Sequence, residues 1–472
     1  MLGGDGAAEA GRGGAALTIG PGFAADSRPA DEPNPVVRHR SSAKVAQWVE
    51  VHRLAVAGRE TAIARHVGRL VARVWLPRSR YADVAALANA TLTLGPDAGA
   101  FYDLGWVQTT TGQPWQALAS YEQALALYRE AGNLGSEAAT LTNIGAVYDN
   151  LGDRERALAH YQQALPVTRG VGNRSGEATT LVNIGLVHDN RGDRERALAY
   201  YEQALAITRE VDDRAGEAIA LNNMGATYNR LGERERALAY YEQALAITRE
   251  VGDRAGEATV LNNIGLVYDN VGDRERALAY YGQALPIRRE VGDRAGEAAT
   301  LTNLGAAYDR LGYRKRALAY YEQALPIQRE VGDRASEAIT LNNMGAAHFG
   351  LGDPERARAY FEQALPVIRE VGDRSGEATT RHNIGEIRRQ QGDFAGAKDT
   401  LDEVLKVFRA IGDRGSEATA CSTMALVLVD LARVDEAVKL QRRAVVLAEQ
   451  TNHPRLERMR AILGQLQQMR KR

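Results

Sequence analysis

An all-α array of antiparallel helix pairs is the fold this sequence predicts, and three observations predict it. The first is a period. The segment 152–181 (GDRERALAHYQQALPVTRGVGNRSGEATTL) returns nearly unchanged from Gly192, Gly232, Gly272, Gly312 and Gly352, forty residues on each time. The second is the spacing of apolar residues inside each period, three and four apart, which lines one stripe of a helix rather than one face of a strand. The third is a register of small residues. Gly145, Gly185, Gly225, Gly265, Gly305, Gly345 and Gly385 share one position, and Ala157, Ala197, Ala237, Ala277, Ala317, Ala357 and Ala397 share another. Gly105 and Ala117 extend the register backward and Ala425 and Ala437 forward, so nine tandem repeats are expected over residues 98–457. A single pair this short cannot bury its apolar stripes; stacked pairs share one elongated core.

Taken in order, residues 1–41 are rich in Gly, Ala, Pro and Arg with few large apolar side chains, and predict a disordered N-terminus. Residues 42–97 predict three helices, near 42–57, 60–75 and 79–90, bounded by Gly58, Pro77 and Gly95-Pro96. Such a block is expected to cap the first repeat; the alternative is the remnant of a larger upstream module. Within a repeat, Leu261, Ile264, Gly265 and Tyr268 form the inner stripe of a helix over 256–270. Gly272 stops it, Asp273 offers a side-chain acceptor to the next helix, and Glu275 sits near that helix's positive end. The second helix carries Ala277, Leu278, Tyr281, Ala284 and Leu285 inward. Gly265, Ala277 and Ala284 let the backbones approach while Tyr281 and Leu261 fill the remaining volume. Pro166, Pro286, Pro326 and Pro366 fall inside second helices and predict kinks there. The pattern drifts in the last two repeats, where Arg388 replaces the inner tyrosine and Cys421, Ala425 and Leu428 replace the usual marks. Degenerate ends suit an array whose terminal face meets water. Residues 458–472 place Met459, Ile462, Leu463 and Leu466 on one face and predict a capping helix.

The marks in Leu261, Ile264, Gly265, Tyr268, Ala277, Tyr281 and Ala284 resemble the tetratricopeptide repeat. The forty-residue period, with VGDRAGEA between pairs, is similar to the longer-helix subtype of Pins/LGN adaptors, kinesin light chains and many bacterial signalling proteins. This resemblance implies a right-handed α-solenoid, a superhelix whose first helices line a concave groove, and a role in holding other proteins.

Charge and motif content exclude several function classes. Lys+Arg is 59 against Asp+Glu 60, a formal net charge of -1, so no basic excess exists to hold a phosphate backbone and no nucleic-acid partner is expected. The single cysteine, Cys421, excludes an intramolecular disulfide framework and a thiolate-caged metal, and is expected to be a small buried hydrophobe. No stretch approaches the roughly 20 apolar residues that cross a bilayer. The opening MLGGDGAAEAGRGG has neither a basic n-region nor an apolar run, so a cytoplasmic protein with no membrane partner is expected. GxxxxGK[ST] and HExxH are absent, and the eight histidines show no metal-ligand spacing. An SxxK string, 41–44, has no companion motif and reads as a helix start. No catalytic residue, cofactor or metal is expected.

Candidate binding residues follow from the register. Counted from each register glycine, positions -6, -3, +1 and +4 are expected to form the stripe opposite the buried one, which in this repeat type faces the groove. Position -3 holds Thr142, Val182, Asn222, Asn262, Thr302, Asn342 and His382; position +4 holds Asp149, Asp189, Asn229, Asp269, Asp309, Phe349 and Arg389. Amide side chains can give and accept hydrogen bonds along an extended peptide, and the -3 asparagines resemble the ladder of kinesin light chains. A second asparagine row at -2 (Asn143, Asn183, Asn223, Asn263, Asn303, Asn343 and Asn383) is nearly invariant and reads as a structural bond between helices. Position +1 is mostly apolar, which excludes a clamp for a C-terminal carboxylate. Asp149, Asp189, Asp269 and Asp309 stand toward one end and Arg381, Arg388 and Arg389 toward the other. A ligand basic at one end and acidic at the other would match them; otherwise they are a solvated face. Arg274, Glu275 and Arg276 of the RER pattern, and the RGE pattern with them, read as solubilising outer charges. The expected function is a non-enzymatic scaffold binding a peptide or protein segment. The alternatives are a regulatory arm of a bacterial signalling or transcription-control system, and a self-associating array.

Overall fold

A computed structural model describes residues 41–76 and 80–471; residues 1–40 of the expected disordered terminus lie outside the described residues. Among the described residues the chain forms 22 α-helices in succession and no strand. They divide into two compact units, one ending at Gly256 and the other beginning at Glu257.

The first unit opens with three helices, Ser41–Ala57, Thr61–Trp75 and Tyr81–Leu92. Four helix pairs follow, each a helix A and a helix B: Ala98–Thr110 with Pro114–Glu130, Leu134–Asn150 with Arg154–Gly170, Arg174–Asn190 with Arg194–Glu210, and Arg214–Leu231 with Arg234–Val251. The helix Arg254–Asn270 straddles the boundary and is helix A of repeat five, with Arg274–Val291 as helix B. The second unit continues with Arg294–Arg310 and Arg314–Val331, Arg334–Gly350 and Pro354–Glu370, Arg374–Gln390 and Phe394–Ile411, then Arg414–Asp430 and Val434–Gln450. Leu456–Lys471 closes it. Each unit is thus a solenoid of antiparallel pairs joined by short turns.

The turns form for local reasons. Gly272 takes φ +86°, a left-handed conformation that costs a side chain-bearing residue energy, and Asp273 then accepts a hydrogen bond from the Arg276 amide at 3.2 Å. At Asp212 the repeating glycine is replaced, and aspartate makes the same turn at φ 55°. All four prolines lie within uninterrupted helices, and the B helices that carry them run 17 or 18 residues, as do those with Ala126, Ala206 or Ala246. Each proline sits on the exposed face, where water can take the carbonyl it leaves unbonded.

Packing centres on the register glycines. A Cβ on Gly265 would stand 2.6 Å from the Tyr281 ring, and on Gly225 2.8 Å from Tyr241, so the ring lies directly on the neighbouring backbone. Burial pushes the phenols of Tyr121, Tyr161 and Tyr201 well above their ordinary range. The N-terminal helices share one cluster with repeat one: Val71, Trp75, Val84 and Leu87 pack with Val107, and Trp106 lies against them. At the other end Met459 and Leu466 of the last helix enter the core of repeats eight and nine, with Ile462 and Leu463 beside them. Cys421 is buried in that core, where burial pushes its thiol up to about 11, and it is inert as a nucleophile at neutral pH.

A second aromatic contact joins A to B in repeats two to seven. Tyr228 stacks on Tyr240 with ring centroids 5.3 Å apart, Tyr268 on Tyr280 at 5.6 Å and Tyr308 on Tyr320 at 5.4 Å. Histidine replaces one ring in Tyr148–His160, His188–Tyr200 and His348–Tyr360. Burial lowers the pKa of all three histidines. A group whose folded pKa is depressed below its unfolded value binds more protons unfolded, so its stability is complete above about pH 6.5 and is lost as pH falls below it. His188→Tyr and His348→Tyr are therefore expected to flatten the decline of melting temperature between about pH 7 and pH 5. An unchanged slope would place the pH dependence elsewhere.

Candidate interaction face

Helix geometry decides which residues a partner can reach. Each residue turns the helix by about 100°, so positions -3 and +4 lie only about 60° and about 40° from the register glycine, whereas -2 and +5 lie about 160° and about 140° away. The -3 and +4 rows, expected opposite the buried stripe, are therefore on its flank. There they meet the next repeat.

The -3 row forms a seam of hydrogen bonds between consecutive A helices. Thr142 and Thr180 hydroxyls are 3.2 Å apart, and so are those of Thr302 and Thr340. Asn262 Oδ1 accepts from Thr300 Oγ1 at 3.3 Å and from Asn303 Nδ2 at 3.1 Å. Asn342 Nδ2 donates to Thr380 Oγ1 at 2.8 Å, and His382 Nε2 lies 3.0 Å from Thr423 Oγ1. Thr142, Asn222 and Asn262 are buried, while Thr302, Asn342 and His382 are half-buried. In the free chain the amides and hydroxyls of this row join one repeat to the next.

The +4 row is engaged in the same way, one position further round. Asp189 pairs with Arg230 and accepts from Thr227 Oγ1 at 3.0 Å, and Asp269 pairs with Arg310. At repeat eight the polarity is reversed, with Arg389 Nη1 3.1 Å from Asp430 Oδ2. Each partner is the +5 residue of the following repeat. Asp309 instead has Arg314 Nε at 3.8 Å. Asn229 is half-buried, and Phe349 packs against the cluster of Phe361 and Ile384. Asp149 makes neither an ion pair nor a side-chain hydrogen bond through its buried Oδ1. Burial raises its pKa, and the charge of Arg154 opposes the rise.

The arginines expected to greet an acidic ligand end are also engaged. Arg389 grips Glu386 through both its Nε and Nη2, at 3.0 and 2.9 Å. Burial works against the Glu386 charge, but the Arg389 hydrogen bonds hold its pKa below the ordinary value. Arg388 donates to the Gly396 carbonyl at 3.2 Å and to Thr400 Oγ1 at 3.0 Å. Arg381 reaches Glu377 at 2.9 Å and Glu403 at 3.6 Å. A free basic end is therefore absent from these three side chains.

What stays partly exposed on the A helices is position +1, flanked by the -2 and +5 residues. Ala146, Leu186, Ala226, Ala306 and Ala346 stand half-exposed at +1. At -2, Asn143 Nδ2 donates to Tyr102 Oη at 2.9 Å, but the Nδ2 atoms of Asn183 and Asn223 have no hydrogen-bond partner. Asn183 is 5% and Asn223 4% exposed, so each holds a buried, unpaired donor close in sequence to the half-exposed +1 position. The -2 row, read as structural, thus holds amides bonded to the preceding repeat, Asn143 and Asn303, and two unpaired donors, Asn183 and Asn223.

Outer charges divide similarly. Glu275 and Arg276 are exposed as the RER pattern suggests, but the glutamate of each GEA or SEA string is not. Glu177, Glu217, Glu297 and Glu337 are buried and held by arginines from the preceding helix B and from their own helix. The RGE carboxylates therefore join repeats and are not surface charges.

Among the described residues no group of three His, Cys, Asp or Glu side chains could hold a metal ion, and no helix is long and apolar enough to cross a membrane. With antiparallel pairs stacked in succession and buried carboxylates joining one pair to the next, this is a helical-repeat solenoid. Sequence profiles described as tetratricopeptide repeat match residues 136–210, 216–290, 271–330 and 336–410, and a second such profile matches 418–454. The chain belongs to the tetratricopeptide repeat family. No curated protein matches its sequence. Among solved structures it is similar to a signal transduction ATPase with numerous domains, PH0952 from Pyrococcus horikoshii, which has a tetratricopeptide repeat sensor. The identity there is 16% and the TM-score 0.56 over 74% of this chain and 54% of that one, so the chain spans about half the ATPase's length. It is also similar to the apo form of the quorum sensor NprR from B. thuringiensis, with 17% identity and a TM-score of 0.54 over 72% of this chain and 98% of that one. At these identities the likeness is one of fold.

Proposed function

We propose that this chain is a non-enzymatic scaffold that holds an extended polypeptide segment on the open face of its A helices. The observation that carries the reading is the pair of buried, unpaired amide donors at Asn183 and Asn223, on consecutive repeats. Buried donors cost energy when unmade, and a polypeptide laid across them can supply carbonyl acceptors at the spacing of the repeats. Alanine and leucine at +1 beside them leave room for a main chain to approach. A sensor arm in a signalling system is a second form of the same reading, prompted by the sensors among the similar folds. Cytoplasmic location belongs to this proposal as well.

The test is a displayed random peptide library selected on the full chain, followed by affinity measurement of the enriched peptides. Asn183→Ala with Asn223→Ala is expected to leave helicity intact and to weaken binding by about 1 kcal/mol per lost hydrogen bond, roughly tenfold or more together. Peptides that bind both proteins equally would move the site off this face.

A further inference from the structure

The seams between repeats differ in whether the +4 charge meets a counter-charge at +5 of the following repeat; Asp149 feels only the more distant charge of Arg154. Where +4 is Asp189, the following +5 residue is Arg230; where it is Asp269, the following one is Arg310; where +4 is Arg389, the following one is Asp430. The pairing rule survives a reversal of sign, so it reflects a fixed juxtaposition of +4 and +5 and not a preference for one residue type. At the seam of repeats six and seven the +5 residue is Gly350, and Arg314 lies across the space a side chain would occupy, within 3.8 Å of Asp309. At the seam of repeats two and three the +5 residue is Asn190, too short and uncharged to do what Arg230 does. Oδ1 is buried without a hydrogen-bond partner in Asp149, Asp189, Asp269 and Asp309 alike, so what sets Asp149 apart is that no arginine pairs with its carboxylate as Arg230 and Arg310 pair with Asp189 and Asp269. Val187 replaces Thr227, the hydroxyl donor of the neighbouring seam, and supplies none.

We propose that Asp149 is the anchor for a cationic side chain of the bound segment, a lysine or arginine that takes over this seam the position Arg230 takes over the next. The inference rests on the open-face reading above and names one chemical requirement of its ligand. Arg230 keeps 35% of its side chain exposed while Asp189 beneath it keeps 2%, so the cation's position at a completed seam is reachable from solvent and its carboxylate is not. A ligand cation entering Asp149 would come by that route. An arginine would meet the carboxylate through two donors, a lysine through one.

The probe is a displayed library of random nonapeptides, selected in parallel on the wild-type chain, Asn190→Arg and Asp149→Asn. Wild type is expected to enrich peptides with lysine or arginine at one fixed position. Asn190→Arg supplies the missing partner from within, so it is expected to erase that preference, keep the other enriched positions, and raise the melting temperature. Asp149→Asn is expected to erase the preference without the rise, and to weaken a wild-type-selected peptide about tenfold. Basic preference retained in both variants overturns the proposal while leaving peptide binding on this face intact. Loss of all enrichment in Asn183→Ala, Asn223→Ala, with the basic preference unaltered by Asn190→Arg, likewise sinks Asp149 alone. If no peptide is enriched on any of the proteins, the open-face reading fails and the Asp149 proposal fails with it.

Discussion

Tyr281→Ala is expected to destabilise the second unit by about 3–5 kcal/mol, the usual cost of emptying a fully buried aromatic site. Its ring has 0% exposure and lies where a Cβ on Gly265 would be 2.6 Å away, so glycine and ring form one close-packed element. Gly265→Ala approaches the same element from the other side. Overpacking costs about 1–3 kcal/mol and the gain in helix propensity returns about 1, so a smaller net loss is expected. The chain itself indicates the compensation. Gly385 faces Leu401 at 3.2 Å instead of a ring, and in repeat nine, where Gln441 takes the tyrosine position, the register glycine has become Ala425. Gly265→Ala combined with Tyr281→Leu should therefore cost less than the sum of the two single changes. The losses must be followed by far-UV circular dichroism or hydrogen exchange. Trp48, Trp75, Trp106 and Trp115 are all in the first unit, and tryptophan fluorescence would miss the transition. Additive losses would mean that glycine and ring do not act as a pair.

That pair also marks what the sequence makes legible. Gly265 and Tyr281 belong to one repeat, and their small and large volumes recur at a fixed spacing, so the period, the helices and the inner stripe can all be read along the chain. The Asp273 cap and the Gly272 turn are local too, resting on residues a few positions apart. The interaction face is a different matter, because its polar residues are sorted by contacts between repeats. Asn262 looks free until Thr300 and Asn303 are placed against it, and Asp269 looks free until Arg310 is. One signal in the sequence does point to the second contact: Asp189 and Arg230, Asp269 and Arg310, and Arg389 and Asp430 are all 41 residues apart, and the last pair exchanges the signs. Asn183 and Asn263 show the opposite limit, since identical letters in one register carry no mark of which amide is bonded.

Arg289→Ala with Arg294→Ala is expected to destabilise the second unit by about 3 kcal/mol, the lower end of the cost of stranding a buried charge. Glu297 has only 7% of its side chain exposed, with Arg289 Nε at 2.7 Å and Arg294 Nη1 at 2.6 Å on its two oxygens. The arginines are themselves nearly half exposed, so screening by water moderates the loss and places it at that lower end. Arg294 also reaches Glu330 at 2.9 Å and Arg289 reaches Gln323 at 3.2 Å, but these partners are exposed and contribute little. The carboxylate is the element that needs its partners. Glu297→Leu removes it with both arginines free to turn to solvent, and is expected to be much milder than the double arginine change. Adding Glu297→Leu to Arg289→Ala and Arg294→Ala should then recover most of the lost stability. Melts of the four proteins decide the matter: a triple variant as unstable as the double would show that the arginines act through their own packing. Recovery would show that a buried carboxylate, repeated at Glu177, Glu217 and Glu337, makes each helix B choose the next helix A, and so holds the register on which the open face depends.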